Sequence, residues 1–212
     1  MSSTLKKFIE SLVHGKAPGP APSFSMFHII LALELMAEKP IGRNKLAEKL
    51  GVGDGAIRTV IGRLKDAGLI SISKEGCTLT PKGLKIWKEF EQIFPKRLAV
   101  EKTELTTAKY NFGFLVKNSG EKVKSGIEQR DAAIMGGAKR AIVIVAKGGH
   151  LIIDSISNDI VKEFPKASNQ ILRDFKPEDN DVIIIAGADD PLRAKRGAFA
   201  ASWVLIDGDK KK

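Results

Sequence analysis

A single cysteine, Cys77, occurs in the 212 residues of this chain, which excludes an intramolecular disulfide and fits a reducing compartment. Histidine is scarce too. His14, His28 and His150 stand far apart with no H-x-x-x-H or C-x-x-C spacing, so no metal centre is expected. No apolar run reaches the roughly 18 residues a membrane span needs. The most apolar stretch, Phe24 to Met36, is interrupted by His28 and Glu34, and no signal peptide opens the chain. A soluble, cytoplasmic protein without a membrane partner is the expectation. A phosphate-binding G-x-x-x-x-G-K-[ST] loop is also missing. Gly136-Gly137-Ala138-Lys139 has neither its spacing nor its hydroxyl and reads as the end of a helix before a strand, so no cofactor is expected.

What the chain has is positive charge. Its formal net charge is +10, and a soluble chain that basic commonly meets a polyphosphate. The excess is uneven: residues 1–100 carry 16 Lys/Arg against 9 Asp/Glu, and residues 101–212 carry 19 against 16.

The basic half contains the most informative segment, IGRNKLAEKLGVGDGAIRTVIGRLKDAGLISISKEGCTLTPKG, from Ile41 to Gly83. Arg43 to Leu50 places Leu46, Ala47 and Leu50 on one helical face, and Gly51 stands where a helix ends in the left-handed conformation. A second helix, Asp54 to Ala67, turns Ile57, Val60, Ile61 and Leu64 inward, leaving Gly55, Arg58, Thr59, Gly62 and Arg63 outward. Leu69 to Ser73 and Cys77 to Thr80 alternate as the strands of a hairpin around Lys74-Glu75-Gly76. Gly55 and Gly62 each weaken the second helix by about 1 kcal/mol relative to Ala, which implies either looser recognition or close approach to a backbone.

The landmarks LAEKLGV, RLKDAGLI and LTPKG resemble those of winged helix-turn-helix transcription regulators, over residues 24–94. Taken whole, the chain is similar to an uncharacterised archaeal group with a small α+β C-terminal domain. The resemblance implies a regulator that binds double-stranded DNA. Its candidate contacts are Arg43, Asn44, Gly55, Arg58, Thr59, Arg63, Lys74 and Lys82, with Arg58 as the reader of base edges and Lys74 and Lys82 as phosphate contacts. A homodimer is implied, because two readers related by a dyad multiply affinity. Two other readings belong to different classes: an RNA- or protein-binding adaptor, and an enzyme carrying an accessory winged helix.

Around the motif, Thr4 is expected to cap a short helix with a Leu5, Phe8, Ile9, Leu12 and Val13 stripe, ended by Gly15. Residues 17–22 form a proline-rich connector, and Ser23 caps a helix from Phe24 to Glu38. A helix after Thr80-Pro81 carries Leu84, Trp87 and Phe94; this helix or the first could dimerise or simply pack on its own core. The resulting division is a DNA-binding domain over 1–95, a linker over 96–107, a dimerisation or sensing domain over 108–207, and a basic tail over 208–212.

The second domain reads as βαββαβα, a small mixed sheet with helices on one face, ferredoxin-like or a rearranged relative. Its strands are Lys109 to Lys117, Ala141 to Ala146, Leu151 to Ile153 and Asp181 to Ala186. It shows no catalytic spacing, and the protein is not expected to be an enzyme. Asp189-Asp190-Pro191 reads first as a helix cap. The alternative is a small anionic effector held by Gly187, Asp189, Asp190 and Arg193, with Arg130 and Asp131 added from an earlier helix.

Overall fold

The computed structural model describes residues 2–14 and 22–206. Gly15, residues 17–21 of the expected connector and the basic tail lie outside them. The chain divides into two compact units between Phe90 and Glu91, inside a helix, and not at residue 95.

In the first unit, helix α1 (Ser2–Val13) starts ahead of Thr4, which therefore lies in its first turn and does not cap it. Its Leu5, Ile9 and Leu12 are buried. Helix α2 (Met26–Glu38) is capped by Ser25, not Ser23. The Ser25 backbone N–H donates to His28 Nδ1 at 2.9 Å, so the histidine that interrupts the apolar stretch closes the helix start. Helix α3 (Arg43–Leu50) ends at Gly51, whose φ of 66° and N–H to the Ala47 and Glu48 carbonyls form the expected left-handed cap. Helix α4 (Asp54–Asp66) buries Ala56, Ile57, Val60, Ile61 and Leu64.

Strands β1 (Ile70–Ser73) and β2 (Gly76–Leu79) pair antiparallel, and Ile41 adds a bridge to Cys77. Helix α5 (Pro81–Ile93) follows, with Thr80 Oγ1 accepting from the Gly83 N–H at 3.1 Å. A Cβ at Gly83 would stand 2.1 Å from the Leu69 carbonyl oxygen, so the entry to β1 and the start of α5 touch more closely than any side chain permits. Trp87 and Phe90 are buried and stacked at 5.2 Å. Of the two apolar stripes, Phe8 and Val13 of α1 are half-buried and Leu84 of α5 stays exposed.

The second unit holds β3 (Lys96–Val100), β4 (Tyr110–Val116), α6 (Ile127–Met135), β5 (Arg140–Lys147), β6 (His150–Ile152), α7 (Ile160–Glu163), α8 (Pro165–Asp174), β7 (Val182–Ala188) and α9 (Pro191–Val204). The sheet order is β3-β4-β7-β5-β6 and every pair is antiparallel, which corrects the expected mixed sheet. β7 lies between β4 and β5, the strands joined through α6, and β5 lies between β6 and β7, joined through α7 and α8. Each βαβ unit is therefore split by a strand of the other, the rearranged relative and not the ferredoxin-like order.

The linker expected over 96–107 is half wrong. Residues 96–100 form an edge strand whose Leu98 pairs Gly113 and whose Val100 pairs Asn111. Its charges disguise it as a linker: Lys96 is exposed, while Arg97 is largely covered and pairs with Glu91 at 3.5 Å.

Helices cover both faces, not one. Ile183, Ile185, Leu115 and Ile144 pack with Ile160, Ile171 and Phe175 of the α7–α8 segment. The alternate residues face α9: Phe114, opposite Ile184, meets Phe199 with ring centroids 6.4 Å apart. β7 is buried along its whole length, which explains its unbroken run of apolar residues.

Candidate nucleic-acid interface

Gly51-Val52-Gly53 turns the chain between α3 and α4 and brings the heads of the two helices together. Gly53 is the N-cap of α4, with extended backbone and no side-chain cap bond. Asp54, in the first turn, suits the positive end of the helix and stands between two cations. Arg58 Nη2 lies 2.6 Å from one carboxylate oxygen and Arg43 Nε 3.6 Å from the other. All three side chains are about half exposed, between 48% and 63%. In water such pairs are worth about 0–1 kcal/mol, so they orient the guanidinium groups without locking them away. Thr59, also exposed, donates to the Gly55 carbonyl at 3.0 Å, and Asn44 is exposed beside Arg43.

Gly42, Gly53, Gly55 and Gly62 have in common that a Cβ added to any of them would meet nothing within 4 Å. Packing does not require glycine there. The glycines leave backbone bare, and Gly55 and Gly62, which lie within α4, do so at a cost in helix stability.

Two of the expected contacts are engaged elsewhere. Arg63 Nη1 donates to the Leu12 carbonyl at 3.0 Å and to that of Val13, and its guanidinium lies 5.1 Å from the centroid of the Phe24 ring. It satisfies the open carbonyls at the end of α1. Lys82 Nζ donates to the Ala67 carbonyl at 2.8 Å, closing the end of α4, and lies 5.8 Å from the Phe8 ring centroid. The LTPKG landmark is thus a joint: Thr80 caps α5, Lys82 closes α4 and Gly83 permits the contact between them. Lys74 is exposed at the hairpin turn, where Ser73 Oγ accepts from the Glu75 N–H at 3.1 Å. The structure therefore gathers Arg43, Asn44, Gly55, Arg58 and Thr59 at the head of α4, places Lys74 on the hairpin, and assigns Arg63 and Lys82 to helix ends.

The candidate effector site is built differently from its expectation. Asp190 caps α9 by accepting from the Arg193 N–H at 2.9 Å. Asp189 pairs with Lys139, which holds its carboxyl below the usual carboxylate range. A Cβ at Gly187 would lie 2.6 Å from that of Ala108, so this glycine admits the neighbouring loop. Arg193 remains exposed. Arg130 borders a separate cavity of about 320 Å³ that none of Gly187, Asp189, Asp190 or Arg193 lines. Asp131 is exposed on the same helix. Gly187, Asp189, Asp190 and Arg193 thus share the junction of β7 and α9, where capping and pairing engage the aspartates, and Arg130 lines a different cavity. Among the described residues, no group of three or more His, Cys, Asp or Glu could hold a metal ion, and no helix is long and apolar enough to cross a membrane.

Residues 25–94 match the family model of the CggR N-terminal DNA binding domain. Residues 107–205 match a domain family of unknown function, DUF4443. No curated protein matches the chain. Among solved structures, the chain is similar to a hypothetical protein, PH0730, from Pyrococcus horikoshii OT3, at 27% identity over 86% of this chain and 93% of that one, with a TM-score of 0.70. β3 falls between the two family matches although it is hydrogen-bonded into the second sheet. The similarity to a DNA-binding domain therefore rests on α2 to α5, and the second sheet carries a likeness to a family whose function is open.

Proposed function

We propose that this protein is a cytoplasmic transcription regulator of the winged helix-turn-helix type that reads duplex DNA as a homodimer. α4 is its recognition helix and the β1–β2 hairpin its wing. The observation that carries the reading is the head of α4, where Arg43, Asn44, Arg58 and Thr59 stand exposed beside backbone that Gly42, Gly53 and Gly55 leave bare. The match of residues 25–94 to a DNA-binding family supports it. Arg58 suits a bidentate contact to guanine, and Lys74 suits a phosphate beside the groove. The second unit supplies dimerisation in this reading, and no catalysis. A small anionic effector near Arg193 would have to compete with Asp189 for Lys139, and stabilisation of the protein by phosphate in a thermal-shift titration tests for it.

Selection of bound duplexes from a random pool, followed by a salt titration on the selected site, tests the central reading. A palindrome and a log-log slope of about −0.9 per phosphate contacted are expected. A slope near zero would refute it.

A further inference from the structure

β5 is longer than the strand beside it. β6 pairs only with Val145 to Lys147, whereas β7 occupies the other side of β5 from Arg140 to Val145. No described strand covers the outer edge of Arg140 to Ile144. Along it Arg140 is exposed and Ala141 and Ile142 are half-buried, with no proline to block pairing, whereas Val143 and Ile144 are buried; the open part of the edge is therefore Arg140 to Ile142.

The cavity of about 320 Å³ runs along this edge, since it is lined by the successive residues Ala141, Ile142 and Val143, whose side chains alternate between the two faces. Ile127 of α6 borders it on one side and Ile156 on the other, and both are more than half exposed, at 54% and 64%.

The outer face of α6 identifies the occupant. Ile127, Arg130, Asp131 and Ile134 follow one another at i, i+3, i+4 and i+7, all exposed on one helical face. Laid antiparallel against itself, the series sets Ile127 opposite Ile134 and Arg130 opposite Asp131, each twice. Self-complementarity of this kind is the signature of an isologous contact.

One dyad serves helix and strand together. A Cβ on Gly126, just before α6, would lie 3.3 Å from Val143 Cβ, and Met135 at its other end leads through residues 136–139 to Arg140. The α6 face therefore runs beside β5, from Val143 at its start back toward Arg140.

We infer that a second copy of this chain docks here, with the two β5 edges paired antiparallel and the two α6 faces side by side, so that the two sheets become one. The inference rests on the homodimer proposed above and names its surface.

Sedimentation of the full chain and its charge variants tests it, with no DNA present. The wild type should sediment as a dimer. Arg130→Asp and Asp131→Arg each set like charges opposite one another at both symmetric contacts and should weaken association by about tenfold or more. The double variant R130D/D131R restores opposite charges and should recover the dimer. Amides of residues 140–142 should exchange more slowly in the dimer than in either single variant. A monomeric wild type overturns the inference and the homodimer with it. Single variants that stay dimeric, or a folded double variant that stays as weak as the singles, overturn this interface and leave the homodimer standing on another surface.

Discussion

The two ends of α4, about 20 Å apart, carry the same kind of side chain in opposite employment. At its head, Arg43 and Arg58 share the carboxylate of Asp54 and stay about half exposed. At its tail, Arg63 and Lys82 satisfy backbone carbonyls of α1 and of α4 itself. Spacing on the helix puts Arg58 and Arg63 outward alike. Their different roles come from what lies beyond the helix, open solvent at one end and carbonyls without partners at the other.

This contrast can be broken in four ways, from the largest effect to the smallest. Arg58→Ala should cost about 1–3 kcal/mol on a selected duplex and little on a scrambled one. Equal losses on both, in paired binding titrations, would remove Arg58 as the reader. Arg63→Ala should act on folding instead. Losing a charge-assisted bond to the end of α1 should lower stability by about 1–2 kcal/mol in urea denaturation, with preference between duplexes unchanged. Gly62→Ala, with open space for the new methyl group, should raise stability by about 0.5–1 kcal/mol. If its affinity for DNA drops meanwhile, the bare backbone is part of the contact; unchanged affinity would make Gly62 dispensable. Lys74→Ala should weaken all duplexes alike and reduce the magnitude of the salt slope by about 1, and a change in sequence preference would instead place the hairpin turn at a base.

The first unit was largely legible because its signals are local. Gly51 ends a helix by its own φ, Thr80-Pro81 starts one, and the inward series of Ile57, Val60, Ile61 and Leu64 needs only the helical period. The partners of Arg63 and Lys82 were not legible, because α1, which receives one and lies beside the other, is distant in sequence. The Asp54–Arg58 pair could have been found from its i, i+4 spacing alone. In the second unit the strands were visible, apart from β3, whose alternating Leu98 and Val100 were masked by Lys96 and Arg97. Their order was not, since an apolar run such as Val182 to Ala188 is compatible with any central position in a sheet. Asp189 and Asp190 read two ways in the sequence because a helix cap and an anion site begin with the same residues.

The central place of β7 also has a consequence for how the chain is made. β4 and β5 hydrogen-bond to β7 and not to each other, so the sheet has no middle until residues 182–188 leave the ribosome. The first unit has all its helices and its hairpin long before then and can fold as it emerges. The second must hold β3, β4, β5 and β6 as unjoined pairs and close them in one late, non-local step, which makes it the slower half of the molecule to fold.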